Sequence, residues 1–239
     1  MQFSVVIPAH NEEALLPRAL DAIGVAAARV GEDVQVIVVD NRSTDRTASI
    51  AAEHGAVVLR SEARNIATVR NCGVAAATGE IIVTVDADSV MAPSALADIA
   101  QLLATGRYVG GGTKVVPERW SAGIRATIAL MEVVTRLSRV SGAMFWCRRD
   151  DFEAVGGFNE DMLLAEDVDF ARRLRAHGRR TGRGFTTLRS APLVISTRKF
   201  DRYGDWHMFA MALQLREIRA AYRGTDPSWV DKYFFDFND

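Results

Sequence analysis

Ile81-Ile82-Val83-Thr84-Val85-Asp86-Ala87-Asp88 begins as an unbroken β-branched run and closes on two carboxylates. A strand with so little polar surface has no face to give to water. It belongs inside a sheet covered on both sides, as in a parallel sheet with crossover helices. The same unit recurs upstream: residues 3–7 lead to His10-Asn11-Glu12-Glu13, residues 34–39 to Asp40-Asn41-Arg42-Ser43, and residues 56–59 form a further strand. Ala-rich segments with helical spacing lie between. One starts at about Glu12 behind an Asn11 cap, with Pro17 in its first turn and Leu16, Leu20 and Ile23 on one face. Another starts at Ser43 or Thr44, and a third is opened by Pro93 and Ser94 and carries Leu96, Ile99 and Leu103. The pattern predicts an α/β fold.

After Gly110-Gly111-Gly112 the pattern loosens. Residues 121–140 read as an amphipathic helix with Ile124, Ile128, Met131 and Leu137 interleaved with Arg125, Arg136 and Arg139. A strand is expected near residues 143–146, a helix over 166–177 closed by Gly178, extended chain over 185–195 and a last amphipathic helix over 205–222. With 239 residues and no low-complexity linker, a single domain is expected over 1–239.

Composition narrows the class. Hydrophobic residues make up 49% and charged residues 25%, which excludes disorder and a disulfide-stapled miniature. The formal charge is −1, so no strong field draws the chain to nucleic acid or to an anionic membrane as a whole. Locally, 10 basic and 14 acidic side chains through residue 120 give way to 19 and 16 afterwards. The run Arg172, Arg173, Arg175, Arg179, Arg180 and Arg183 is read as a solvated helix face, with no nucleic-acid partner. Cys72 and Cys147 lack the spacing of a disulfide framework or zinc site and read as reduced thiols. No export signal precedes residue 3 and no apolar run reaches the ~18 residues a membrane span needs, so a cytoplasmic location is expected.

In open parallel sheets the ligand crevice lies at the carboxyl ends of the strands, and here those ends are polar. If the chain stays extended, Asp86 and Asp88 point the same way and can meet one divalent cation and the groups it binds. Capping the turn before Pro93 is the plainer role for the same pair. Asp40 has two readings as well: an acceptor for a base or ribose, or the start of the turn into the next helix. A phosphate-cradling GxxxxGK[ST] loop and GxGxxG are both absent, so ATPase and NAD readings lose support.

Val5-Val6-Ile7-Pro8-Ala9-His10-Asn11-Glu12-Glu13, Val38-Val39-Asp40-Asn41-Arg42-Ser43-Thr44-Asp45, Asp86-Ala87-Asp88 and Ala165-Glu166-Asp167-Val168-Asp169 follow one another in the order and spacing of family 2 glycosyltransferases, which the chain resembles over roughly residues 3–205. The resemblance implies the GT-A fold, a Rossmann-like, mostly parallel central sheet flanked by helices, here with a C-terminal helical extension. It implies a nucleotide-sugar-binding half over 1–115 and an acceptor-binding, catalytic-base half over 116–239. The implied activity is metal-dependent inverting transfer of a sugar from a nucleotide diphosphate sugar to an acceptor hydroxyl, with Mn²⁺ or Mg²⁺. A sugar nucleotidyltransferase, or a degenerate nucleotide-sugar-binding protein without turnover, is the alternative.

Carried onto this chain, the resemblance gives Pro8, Ala9, Asn11, Glu12 and Asp40 to base and ribose. Arg70 sits near the nucleotide, Asp86 and Ala87 face the ribose or a metal-bound water, and Asp88 ligates the metal. Asp167 is the base that takes the acceptor proton. Arg198, in Ser196-Thr197-Arg198-Lys199-Phe200, neutralises phosphate charge, and His207 is the candidate second metal ligand. Gly142-Ala143-Met144 and Trp146 fit the acceptor side. The apolar faces of 125–139 and 205–222 and the tail Trp229-Val230-Asp231-Lys232-Tyr233-Phe234-Phe235 are read first as core packing. A homodimer contact, or peripheral contact with an inner membrane face presenting a lipid-linked acceptor, is the alternative.

Overall fold

The computed structural model describes residues 2–211. In chain order its elements are β1 (Phe3–Ala9), α1 (Leu16–Val30), β2 (Val34–Asp40), α2 (Thr47–Glu53), β3 (Val57–Arg60), α3 (Ile66–Ala75), β4 (Ile81–Thr84), β5 (Ser89–Val90), α4 (Ala95–Ala104), β6 (Tyr108–Pro117), α5 (Ala122–Ser138), β7 (Phe145–Arg148), α6 (Arg149–Ala154), α7 (Glu166–Arg180), β8 (Gly184–Ile195), α8 (Arg198–Tyr203) and α9 (His207–Met211). The expected last helix lies outside the described residues beyond Met211, as does the 229–235 tail.

One sheet runs β3-β2-β1-β4-β7-β6-β8-β5. Its first four strands are parallel, β7 is antiparallel to both β4 and β6, β8 returns parallel to β6, and β5 closes the edge antiparallel to β8. Strand order reverses between β1 and β4. Two crossovers leaving in opposite directions open a crevice there, outside the carboxyl ends of both strands.

All seven residues of β1 and all four of β4 are buried, which explains their lack of polar alternation. On one face Val5 and Ile7 pack with Leu16, Leu20 and Ile23 of α1 and Leu96, Ile99 and Leu103 of α4. On the other, Val6, Ile37, Val39 and Ile82 meet Val69 and Val74 of α3 and Phe170 and Leu174 of α7. Phe145, Phe152, Phe158 and Phe170 fill that layer, with ring centroids between 4.4 and 6.2 Å apart. Residues 115 and 116 both lie in β6, so the two expected halves share a strand.

Several local expectations are corrected. Asn11 does not cap α1, which begins at Leu16; it takes a left-handed backbone, φ 49°. The next helix starts at Thr47 rather than Ser43 or Thr44, because Asp45 accepts from the Thr47 N–H. Gly178 does not close α7. It lies inside the helix, where an added Cβ would come within 2.6 Å of Val109 Cγ1, so its bareness lets α7 pack on β6. Residues 121–140 do form a helix, but Met131 is 46% and Leu137 81% exposed, so core packing fails for its C-terminal half.

The close approach of α3 to the sheet gives a test. A Cβ on Gly73 would fall 2.3 Å from Val6 Cγ1 and 2.9 Å from Val39 Cγ2, whereas Gly24, exposed in α1, has nothing within 4 Å. Gly73→Ala is expected to lower unfolding stability by about 1–3 kcal/mol. Gly24→Ala should raise it by about 0.5–1 kcal/mol through helix propensity. Urea denaturation of the two variants reads both signs, and equal effects would overturn the packing argument.

Candidate active site

The loops leaving β1 and β2 are stitched together before any ligand is considered. The Asn11 N–H donates to Ser43 Oγ and the Asn11 side chain accepts from Thr44 N. Glu12 N donates to Thr47 Oγ1, and Glu13 N to Asp45. His10 Nδ1 lies 2.6 Å from the Asn41 carbonyl, so that nitrogen carries the proton. Asn41 reaches the third loop by donating to the Ser61 and Ala63 carbonyls. Asp40, 5% exposed, accepts from Ser43 N at 3.1 Å, which is the turn role.

Over this floor lies a cavity of about 220 Å³, lined by Pro8 and Ala9 at the end of β1, Glu12 from the loop after it, Asp86, Ala87 and Asp88 from the loop after β4, Arg70 from α3, Glu166 from α7, and Arg198 and Lys199 from α8. The strand ends at Thr84, so Asp86 and Asp88 are presented by a turn and not, as the extended-chain reading has it, by a strand. They still enter one cavity. Asn11, Asp40 and His207 are not among its lining residues. His207 Nδ1 sits 2.9 Å from the Gly204 carbonyl, and its ring meets Phe200 edge-on with centroids 4.7 Å apart.

Two arginines cross-link four carboxylates here. Arg70 donates to Glu166 at 2.5 Å and to Asp86 at 2.8 Å, under a guanidinium-to-ring approach of 5.4 Å to Phe158. Arg198 forks onto both oxygens of Glu12 and reaches Asp88 at 3.1 Å. Burial alone pulls Arg70 toward neutrality, but Asp86 and Glu166 outweigh it and raise its pKa. For Glu166 burial raises the pKa, with Asp167 adding to it and Arg70 opposing. Asp88 is likewise raised, first by burial and then by Asp86, against Arg198 and Lys199. Burial lowers the pKa of Lys199.

The partnership of Arg70 with Glu166 has no sequence signal, since 96 positions separate them. Glu166, which the sequence presents only as a neighbour of Asp167, lines the first cavity as the buried partner of Arg70.

Asp167 lines a different cavity, of about 400 Å³, with Thr113, Lys114, Gly142, Ala143, Arg172 and Arg189, and with Ile128, Leu130, Met131 and Val134 of α5. A Cβ on Gly142 would stand 3.4 Å from Asp167 Oδ2, so the glycine keeps that carboxylate approachable. Ala143 (φ 72°) and Ala165 (φ 62°) flank the site with left-handed backbones that L residues seldom adopt.

Among the described residues no three His, Cys, Asp or Glu side chains converge as a metal cluster. Asp86 and Asp88 nevertheless fit Mg²⁺ or Mn²⁺ of the kind bound through one or two carboxylates, with phosphate and water completing the shell. Both carboxylates line the cavity, so their oxygens can reach a cation entering it.

A family model described as glycosyl transferase family 2 matches residues 4–156. The chain belongs to this family. Family 2 relatives include an uncharacterized glycosyltransferase of Mycobacterium tuberculosis, 41% identical over 37% of each chain. Another is the undecaprenyl-phosphate 4-deoxy-4-formamido-L-arabinose transferase of Pectobacterium carotovorum, 30% identical over 45% of this chain and 35% of its own. The chain thus spans little more than a third of these relatives' lengths. Among solved structures, S. aureus TarS in complex with UDP-GlcNAc matches with a TM-score of 0.67 at 19% identity, over 82% of this chain and 59% of that one. The mannosyltransferase PcManGT from Pyrobaculum calidifontis, in complex with GDP-Man and Mn²⁺, matches with a TM-score of 0.64 at 26% identity, over 80% and 56%. The fold is GT-A. The family match stops before α7, whereas the structural likeness takes in most of the chain.

The lattice around Arg70 predicts a pH-dependent stability. Arg70→Leu leaves Glu166 buried without its cation, at an expected loss of about 3–5 kcal/mol at neutral pH. The stranded carboxyl has a folded-state pKa above its unfolded one, so the penalty is smallest at low pH, where it is protonated, and grows as pH rises through the folded pKa. Adding Glu166→Gln should recover much of the loss and flatten the profile, measured by denaturant titration across pH.

Proposed function

We propose that this chain transfers a sugar from a nucleotide diphosphate sugar to an acceptor hydroxyl, with inversion at the anomeric carbon and with help from Mn²⁺ or Mg²⁺. One observation carries the reading: consecutive residues at the start of α7 line separate cavities, Glu166 the one with Asp86 and Asp88, and Asp167 the other. A donor held on one side and an acceptor on the other meet across that helix end. The nucleotide sugars bound by TarS and PcManGT, and the Mn²⁺ of the latter, support the donor and the cation.

In this reading the donor's base and ribose rest on the Pro8–Ala9 and Asn41 rim. Asp86 and Asp88 would hold the cation beside the donor's phosphates, and the cation would offset charge developing on the leaving diphosphate. Arg198, now spanning Glu12 and Asp88, is placed to exchange a carboxylate for a phosphate oxygen, with Lys199 beside it. Asp167 takes the acceptor's hydroxyl proton as that oxygen bonds to the anomeric carbon from the face opposite the diphosphate, and the bond to the phosphate oxygen breaks with its electron pair. The undecaprenyl-phosphate transferase among the relatives supports a lipid-linked acceptor.

Thermal unfolding with UDP, GDP and dTDP, each with Mn²⁺, Mg²⁺ or EDTA, tests the donor side. A ligand at ~100 times its dissociation constant adds ~2.7 kcal/mol, a shift of several degrees for a chain of this size. One diphosphate is expected to act, and only with metal; Asp88→Ala should abolish the metal-dependent part. Asp167→Asn should keep the shift and lose transfer by roughly 10²-fold or more. Unchanged turnover in Asp167→Asn would remove it as the base.

A further inference from the structure

The C-terminal half of α5 leaves an apolar ridge in water. Leu130, Val133, Val134 and Leu137 are 52%, 52%, 54% and 81% exposed, and their spacing of 0, 3, 4 and 7 residues sets them on one face. The helix is held inward by its first turns, where Ile124 and Thr127 are 0% and 3% exposed, and Val134, one heptad after Thr127, lies in line with that stripe. Leu130, Val133 and Leu137 widen the apolar surface beyond the stripe that holds the helix to the fold. None of its four residues packs into either core cluster.

The charges around the C-terminal end of the ridge are mostly basic. Glu132 is the sole acid of α5, and Arg136 and Arg189 both bind it. Arg139 caps the helix C-terminus, and Arg175 of α7 donates to the Ser138 carbonyl at the same end. Partial desolvation and the neighbouring charges of Arg179 and Arg139 depress the pKa of Arg175, so three guanidinia share that end. At the other end Trp206 and Phe209 are exposed, their rings tilted against each other with centroids 5.6 Å apart, just after Asp205, whose carbonyl packs against Gly123. Exposed aromatics and arginines beside an apolar stripe match the layered polarity of a headgroup region.

We propose that the outer face of α5 docks on an anionic lipid surface, with Val133 and Leu137 entering the acyl boundary and Arg136, Arg139, Arg175 and Arg179 meeting lipid phosphates. No helix among the described residues is long and apolar enough to cross a membrane, so the contact is peripheral. The ridge also runs into the larger cavity, because Leu130, Met131 and Val134 line it together with Asp167. Docking would bring the mouth of that cavity to the headgroup layer. The consequence that the acceptor arrives from the lipid rests on the transfer reading above, whereas docking itself needs neither donor nor turnover.

Co-sedimentation of the full chain with vesicles of phosphatidylcholine alone, or mixed with phosphatidylglycerol, tests docking directly. Retention on the mixed vesicles, weakened by salt, is expected. Val133→Glu with Leu137→Glu, two positions off both cavities, should reduce that partition roughly tenfold or more and leave the melting temperature and the nucleotide-induced shift unchanged. Equal partition of the double variant, or no retention on either vesicle, overturns the proposal. So does a dimer in light scattering that the same variant splits, which would make the ridge a contact between two copies. A Leu137→Cys thiol that reacts slowly without vesicles would likewise show the ridge already covered. Failure here leaves the nucleotide-induced shift untouched, so the two readings fall separately.

Discussion

Glu12, Asp86, Asp88 and Glu166 line one cavity at the strand-order reversal, and giving each of them a cation is the constraint the site is built around. Desolvated carboxylates at such density do not all stay ionised without cations among them. Arg70 and Arg198 supply those cations in different ways. Arg70 comes from the interior of α3, is buried, and ties the turn after β4 to the start of α7. Arg198 begins a six-residue helix near the end of the described chain and is more exposed. The first arginine is a fixed structural strut. The second sits on a short element, where exchanging partners disturbs little packing.

That division explains why the sheet halves meet where they do. β7 slots between β4 and β6 as an antiparallel strand, and the glycines at 110–112 permit it: a Cβ on Gly110 would lie 2.4 Å from the Trp146 carbonyl, and one on Gly111 2.0 Å from that of Thr186. Close strand approach there sets α7 against β6. It thereby delivers Glu166 to Arg70 along the face that α3 and α7 share. The site is assembled by packing in the second half as much as by loops in the first.

The parts legible in the sequence are those where burial leaves a periodic imprint. β1, β2 and β4 read correctly because strands covered on both faces cannot hide polar residues, and α4 because Leu96, Ile99 and Leu103 recur at helical spacing. What depends on distant partners was not legible. The turn holding Asp86 and Asp88, the left-handed Asn11 and the buried Gly178 are settled by loop stitching and helix–sheet contact, which local propensity does not encode. α5 failed for another reason. Amphipathic reading assumes that the apolar face turns inward, and a helix whose apolar surface extends beyond its buried stripe gives the same periodicity.

The adjacency of Glu166 and Asp167 follows from helix geometry. Successive residues at a helix start project about 100° apart, so one end can address two compartments without any loop between them. Glu166 is spent on Arg70, and the ion pair fixes the rotation of the helix about its axis. Because that rotation is fixed, Asp167 has a defined direction toward Gly142, and the left-handed Ala165 makes the sharp entry that lets the helix begin there. Moving the helix by one residue would put Asp167 on the arginine and leave the second cavity without a carboxylate. The residue that reads as surroundings in the sequence is thus the one that aims its neighbour.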